Sequence, residues 1–273
     1  NIDMDVLPTK LNLVFTEIRK QSGWDNVAVS IPFSQNIFDV TYPVPDSTFK
    51  SSYKSTLASI IGIYKTYGAP FSINIYPFFV APYLPDLMDY ILGESSAAGD
   101  YTSMFGAQYM ATYYAMEDAY ANNGVEIIVT ETGWSTSSST YDFATTSNAN
   151  KYYSNLLRLM QDSSSEIYGK RIYLFELFDE SQKSGGDWEQ SFGVYSESGS
   201  LKLDLSGSAF TESSVDEGES TMNVTEIVLV IVSILLVVAI CAFVVYWRYG
   251  RKKDNVSFDH SDIKVGDTPV VNE

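Results

Sequence analysis

The chain has 273 residues, 45% hydrophobic and 14% aromatic, enough apolar mass to fill the core of one large domain with appendages. Its 34 acidic residues against 17 basic ones leave a net charge of −17, which argues against a nucleic-acid partner, whose phosphates call for Lys and Arg. The single cysteine, Cys241, and single histidine, His260, exclude an internal disulfide, a thiolate zinc cluster, a serine-type triad and a histidine metal site. No metal or cofactor is expected, and acid–base chemistry falls to Asp, Glu, Tyr or Lys.

Leu7, Leu11, Val14, Phe15 and Ile18 recur at a helical period and predict a helix over residues 6–21. Residues 26–33 read as a strand, and Pro43 and Pro45 mark 39–48 as a long loop. A second helix covers 51–67 and is closed by Gly68. Pro70 opens a strand over 71–79, in which Ser72, Asn74 and Tyr76 share one face and Ile73 and Ile75 the other. After an irregular stretch over 80–100, a helix is expected over 101–122, stopped by Asn123-Gly124.

Residues 125–134, Val-Glu-Ile-Ile-Val-Thr-Glu-Thr-Gly-Trp, form a short, β-branched and almost continuously apolar run. Such a run reads as a central parallel strand buried on both faces. By alternation Val125, Ile127, Val129 and Glu131 share a face, so that face ends in a carboxylate at the strand's C-terminal end. That charge is costly unless it is hydrogen-bonded or borders a wet cleft. A serine-rich loop then leads to a helix through 162 and a last strand over 171–180. Four strands alternating with helices predict βαβ units and a parallel sheet.

Residues 207–226 turn to Ser, Thr, Asp and Glu and read as a solvated stalk. Residues 227–247 are a run of about twenty apolar residues, long enough to cross a bilayer. Arg248, Arg251, Lys252 and Lys253 follow the run while acids precede it, so the positive-inside bias places residues 1–226 outside the cytosol. The expectation is a type I, single-pass protein of the plasma membrane or cell surface, with a short cytosolic tail over 248–273 and a sequon at Asn223 compatible with glycosylation. An external domain of this kind needs an export signal, and a longer parent chain is expected to supply it.

At successive strand ends stand Tyr76, Glu131 and Glu180, with Lys183 close behind and Glu189 beyond a Gly185-Gly186 turn. Carboxylates among aromatics suit sugar chemistry, where rings stack on pyranose faces and acids serve as nucleophile or proton donor. Ile73 to Phe79, Val129 to Trp134, Phe175 to Lys183 and Glu189 to Gly193 resemble, in order and spacing, the motifs of family 17 glycoside hydrolases, the β-1,3-glucan hydrolases and their transglycosylase relatives.

The resemblance covers most of residues 1–206 and implies a (β/α)8 barrel that cleaves β-glucan with retention. Residue by residue, it places the nucleophile at Glu131, a supporting network at Glu180, Lys183 and Glu189, and substrate-binding positions at Asn74, Tyr76 and Phe79. Trp134 and Phe175 are expected as aromatic walls. The family's proton donor precedes the helix that here starts near Val6, and about 206 residues with four strands fall short of the roughly 250 residues and eight strands of a barrel. The expectation is therefore a partial barrel, about strands five to eight, inactive or unfolded by itself.

Ser135, Asp179 and Glu176 depart from the family pattern, and Glu176 needs a partner if it faces the barrel. A catalytically inactive glucan-binding ectodomain, a glucan transglycosylase and another barrel β-glycanase are the alternatives to a membrane-anchored β-1,3-glucanase.

Overall fold

The computed structural model describes residues 4–96 and 100–205. In chain order these form α1 (Leu7–Ile18), β1 (Pro32–Phe33), β2 (Phe38–Val40), β3 (Thr48–Phe49), α2 (Ser51–Tyr67), β4 (Phe71–Asn74), α3 (Met88–Ile91), α4 (Met104–Ala119), β5 (Ile127–Thr132), α5 (Thr146–Gln161) and β6 (Ile172–Leu174), with short 3-10 turns between them. Strands β1, β4, β5 and β6 lie side by side in that order, all parallel, as the alternation of strands and helices predicts. β2 and β3 make a small antiparallel pair inserted after β1.

The helices form where apolar side chains recur on one face. In α2 the buried stripe is Leu57, Ile60, Ile61 and Tyr64, and in α5 it is Ala149, Tyr152, Tyr153, Leu156 and Leu159. α2 ends at Gly68, whose φ of 66° is the left-handed conformation that glycine adopts without a Cβ penalty. Thr145 Oγ1 accepts from the Asn148 amide at the start of α5, and Ser103 Oγ accepts from the Gly106 amide at the start of α4. All four predicted helices are present, with the first and third shorter than their apolar patterns suggested.

All four strands are shorter than expected: β4 stops at Asn74 and β5 runs only from Ile127 to Thr132, and β1 and β6 are cut back further. Only Pro32 and Phe33 of residues 26–33 pair with β4, and the preceding residues are exposed or half-exposed. Side chains hold this stretch instead: Ser30 Oγ donates to the Pro70 carbonyl, and Ser72 Oγ donates to Ser30 Oγ, both at 2.7 Å. β6 is regular only to Leu174. Beyond it, residues 176–179 run beside residues 192–195, with the Val194 amide on the Glu176 carbonyl and the Asp179 amide on the Tyr195 carbonyl.

β5 also departs from strict alternation. Its register against β4 jumps from Ile73↔Val129 to Asn74↔Glu131, leaving Thr130 as an extra residue. A bulge of this kind re-aims side chains. Here the consecutive residues Thr130 and Glu131 both reach side chains of the β4 segment.

Residues 206–273, and with them the expected stalk, membrane span, cytosolic tail and Asn223, lie outside the described residues. Among the described residues no helix is long and apolar enough to cross a membrane.

Candidate active site

The C-terminal ends of β4, β5 and β6 are adjacent, so the residues that follow each strand meet. Tyr76, two residues past β4, donates its hydroxyl to Glu131 Oε2 at 2.9 Å. Burial, and next the charge of Glu131, raise the Tyr76 pKa far above the ordinary phenol range, so the phenol stays a donor. Asn74 turns to the neighbouring bulge residue, its Oδ1 accepting from Thr130 Oγ1 at 2.7 Å. The Tyr76 ring meets the edges of Phe79, Phe175 and Phe192 at centroid distances of 5.6, 6.4 and 5.9 Å. Phe79 is 41% exposed and forms an accessible aromatic face beside Tyr76.

Phe175 links this group to the second half of the site. Lys183 Nζ lies 4.2 Å from the Phe175 ring centroid, a close cation–π contact. The same ammonium is 3.0 Å from Glu180 Oε2 and 4.0 Å from Glu189 Oε2. The expected network of Glu180, Lys183 and Glu189 thus assembles around one cation. The hydrogen bond from Lys183, and then one from Glu176, hold the Glu180 carboxyl below its usual range.

Trp134 is a correction. It is 0% exposed, packs against Phe78, Phe143 and Tyr152, and its Nε1 donates to the Phe143 carbonyl. With its indole enclosed and its one donor satisfied, Trp134 is part of the core and offers no face to a sugar. Gly133 before it is set by close approach: a Cβ there would lie 2.1 Å from the Phe175 carbonyl oxygen. That approach joins the end of β5 to the segment after β6, and the two phenols of α5 lock it. Tyr152 OH and Thr132 Oγ1 share a hydrogen bond of 2.5 Å, and Tyr153 OH donates to the Phe175 carbonyl at 3.1 Å.

The departures from the family pattern find local partners. Asp179 Oδ1 accepts from Lys202 Nζ at 2.5 Å and from the Gly193 amide at 2.9 Å, so its charge is neutralised in place. Ser135 is buried, and its hydroxyl donates to the Trp188 carbonyl at 2.9 Å. Glu176 faces the site, not the helices: its carboxyl is within hydrogen-bonding reach of Glu180. Two further contributions were not read from the sequence. One is the bond from Tyr76 to Glu131, invisible because 55 residues separate the partners. The other is the clamp at Asp187, which accepts from Ser138 Oγ, the Ser139 amide and Thr140 Oγ1 and joins the serine-rich loop to the turn carrying Glu189. The bonds to Ser139 are the main reason the Asp187 carboxyl is held down at about 2.

Residues 5–207 match the sequence model of the glycosyl hydrolases family 17. The chain belongs to this family. Among the family 17 relatives, glucan endo-1,3-beta-glucosidase 13 of Arabidopsis thaliana is 32% identical over 224 residues, covering 76% of this chain and 44% of that one. The acidic isoform PR-N of Nicotiana tabacum, also named a glucan endo-1,3-beta-glucosidase, is 33% identical over 211 residues, covering 73% and 74%. The solved structure of CJP38, a beta-1,3-glucanase and allergen of Cryptomeria japonica pollen, is similar with a TM-score of 0.67 and 25% identity, over 74% of this chain and 65% of that one. The four parallel strands are accordingly a part of the family 17 (β/α)8 barrel. The chain spans about half the length of relatives such as the Arabidopsis protein and the Solanum lycopersicum glucan endo-1,3-beta-glucosidase A, of which it covers 44% and 52%.

Proposed function

We propose that this chain carries the nucleophile and its supporting network for a retaining hydrolase of β-1,3-glucan. The observation that carries the proposal is the placement of Glu131 at the end of a central family 17 strand, with its Oε2 held by Tyr76. In the first step the Glu131 carboxylate attacks the anomeric carbon, the bond to the leaving sugar oxygen breaks, and a second carboxyl protonates that oxygen. In the second step water attacks the glycosyl ester, its proton returns to the second carboxyl, and Glu131 is released as carboxylate. The donor carboxyl is assigned to the part of the family barrel that this chain does not span. Phe79 and Phe175 flank Tyr76 and supply apolar faces for pyranose rings. Relatives that share the family model and are named glucan endo-1,3-beta-glucosidases support the substrate class.

The test is made on the intact protein with laminarin. Glu131→Gln abolishes hydrolysis while glucan binding is retained, and a fluorinated glucoside labels Glu131, read by peptide mass spectrometry. Hydrolysis surviving the substitution, or a label on another residue, overturns the assignment.

We further propose that residues 227–247 anchor the protein in a membrane with the glycosidase portion outside the cytosol. The apolar run followed by Arg248, Arg251, Lys252 and Lys253 supports it. The intact protein then stays with the membrane pellet in alkaline carbonate, and a form ending at Glu226 does not. Extraction of the intact protein by carbonate refutes the anchor.

A further inference from the structure

Glu176 has no part in the chemistry above, yet its carboxyl lies inside the network. Its backbone is fixed from both sides: the Glu176 amide donates to the Phe192 carbonyl at 3.3 Å and its carbonyl accepts from the Val194 amide at 2.9 Å. The Glu180 carboxyl is within hydrogen-bonding reach of the Glu176 carboxyl. Glu176 Oε1 is buried and finds no donor. A buried carboxylate oxygen without a donor is costly, whereas a carboxylic acid needs only an acceptor. Glu180 is that acceptor.

The charged and titratable groups around Glu176 point the same way. Lys183 is the nearby cation, and it is paired with Glu180 at 3.0 Å. Asp179, on the same segment, adds negative charge but is itself held by Lys202. From α5 comes Tyr153, whose hydroxyl donates to the Phe175 carbonyl. Glu189 reaches the group only through Lys183, 4.0 Å away. Lys183, already paired with Glu180, offsets a second negative charge at Glu176 only in part, and the proton is retained to higher pH than in an ordinary glutamate.

We propose that Glu176 and Glu180 share one proton, with Glu176 a positioning residue that donates to the Glu180 carboxylate and keeps it turned toward Lys183 until that proton is lost. Burial, reinforced by the bond to Glu180 and opposed by Lys183, pushes the Glu176 carboxyl up to about 7, so the loss falls near neutrality. On deprotonation the donor becomes a second carboxylate, the proton passes to solvent, and two like charges compete for Lys183. The consequence for turnover rests on the β-glucan hydrolase reading, but the shared proton does not.

The experiment is a titration of the intact protein labelled with carbon-13 at the glutamate carboxyls. A resonance titrating near pH 7 is expected in the wild type and absent in Glu176→Gln. In Glu176→Ala, Glu180 loses its donor and titrates at higher pH, while in Glu176→Gln the side-chain amide still donates and Glu180 keeps its low value. On laminarin, the alkaline limb of kcat/KM near neutrality moves upward in Glu176→Gln. Absence of the neutral resonance overturns the proposal, as does a Glu180 titration that is the same in the Ala and Gln variants. A wild type that shows the resonance but no turnover refutes the hydrolase reading and leaves the shared proton standing.

Discussion

The hydroxyl of Tyr76 and the carboxylate of Glu131 meet at 2.9 Å across two neighbouring strands, and under the proposed function this bond would aim the attacking oxygen. Tyr76→Phe removes one donor and nothing else. A hydrogen bond to a charged acceptor contributes roughly 1.5–3 kcal/mol, so kcat on laminarin is expected to fall by about 10- to 100-fold with KM little changed. Steady-state kinetics of the intact protein check it, and an unchanged kcat refutes the role.

Gly133 sits where the end of β5 comes up against the Phe175 carbonyl just past β6. A methyl group in Gly133→Ala would meet the Phe175 carbonyl, which the Tyr153 hydroxyl holds in place and which cannot swing aside. Overpacking a closed contact costs about 1–3 kcal/mol. Denaturant unfolding is expected to show a lower midpoint at unchanged slope.

Thr132 and Tyr152 share one buried bond of 2.5 Å. Thr132→Val or Tyr152→Phe each strands a buried polar group and costs about 1–3 kcal/mol. The double substitution removes both groups, so its cost is expected to fall short of the sum. A double-mutant cycle on unfolding free energy measures the difference, and strict additivity excludes the bond.

Stability against pH follows from Glu176. Its carboxyl holds a proton more tightly in the folded chain, at about 7, than at the ordinary value of 4.5. The resulting stabilisation is fully present below pH 4.5 and is lost as pH rises through 7. The span sets a ceiling of about 3 kcal/mol, and with the carboxyl only partly buried, solvent screening reduces it to roughly 1 kcal/mol. Glu176→Gln is therefore expected to raise the melting temperature relative to wild type above pH 7 and to leave it unchanged in acid, as calorimetry at both pH values reads.

Lys183 holds Glu180 ionised, and its hydrogen bond is the largest cause of the low Glu180 pKa. Lys183→Met removes both the bond and the charge. Glu180 is expected to titrate at higher pH in the carbon-13 experiment, and the acid limb of kcat/KM should shift in the same direction.

The strands and helices were legible because burial imposes a period. The stripe of α2 repeats at helical spacing, and residues 127–129 are apolar without break because the strand is buried there on both faces. Glu131 was legible for the complementary reason, as a charge closing a greasy strand. Trp134 was not, because an aromatic ring after a turn can face the cleft or the helices equally well. Its burial depends on Phe78 and Tyr152, which are distant in sequence. The same holds for Glu176. Alternation puts it on the parity of Glu180 but cannot say which way that parity points once β6 ends at Leu174 and the chain pairs with residues 192–195 instead. Alternation also misses the bulge at Thr130, since an inserted residue resets the count.

The two margins of the parallel sheet have opposite temperaments. On one side β1 is two residues long and begins with a proline, which has no amide to offer, so it is a poor template for a foreign strand. On the other, Leu177, Phe178 and Leu201 stand 60, 47 and 62% exposed. That flank offers apolar side chains to a neighbour, and Leu177→Lys or Leu201→Glu is a place where a more soluble laboratory preparation of these residues can begin.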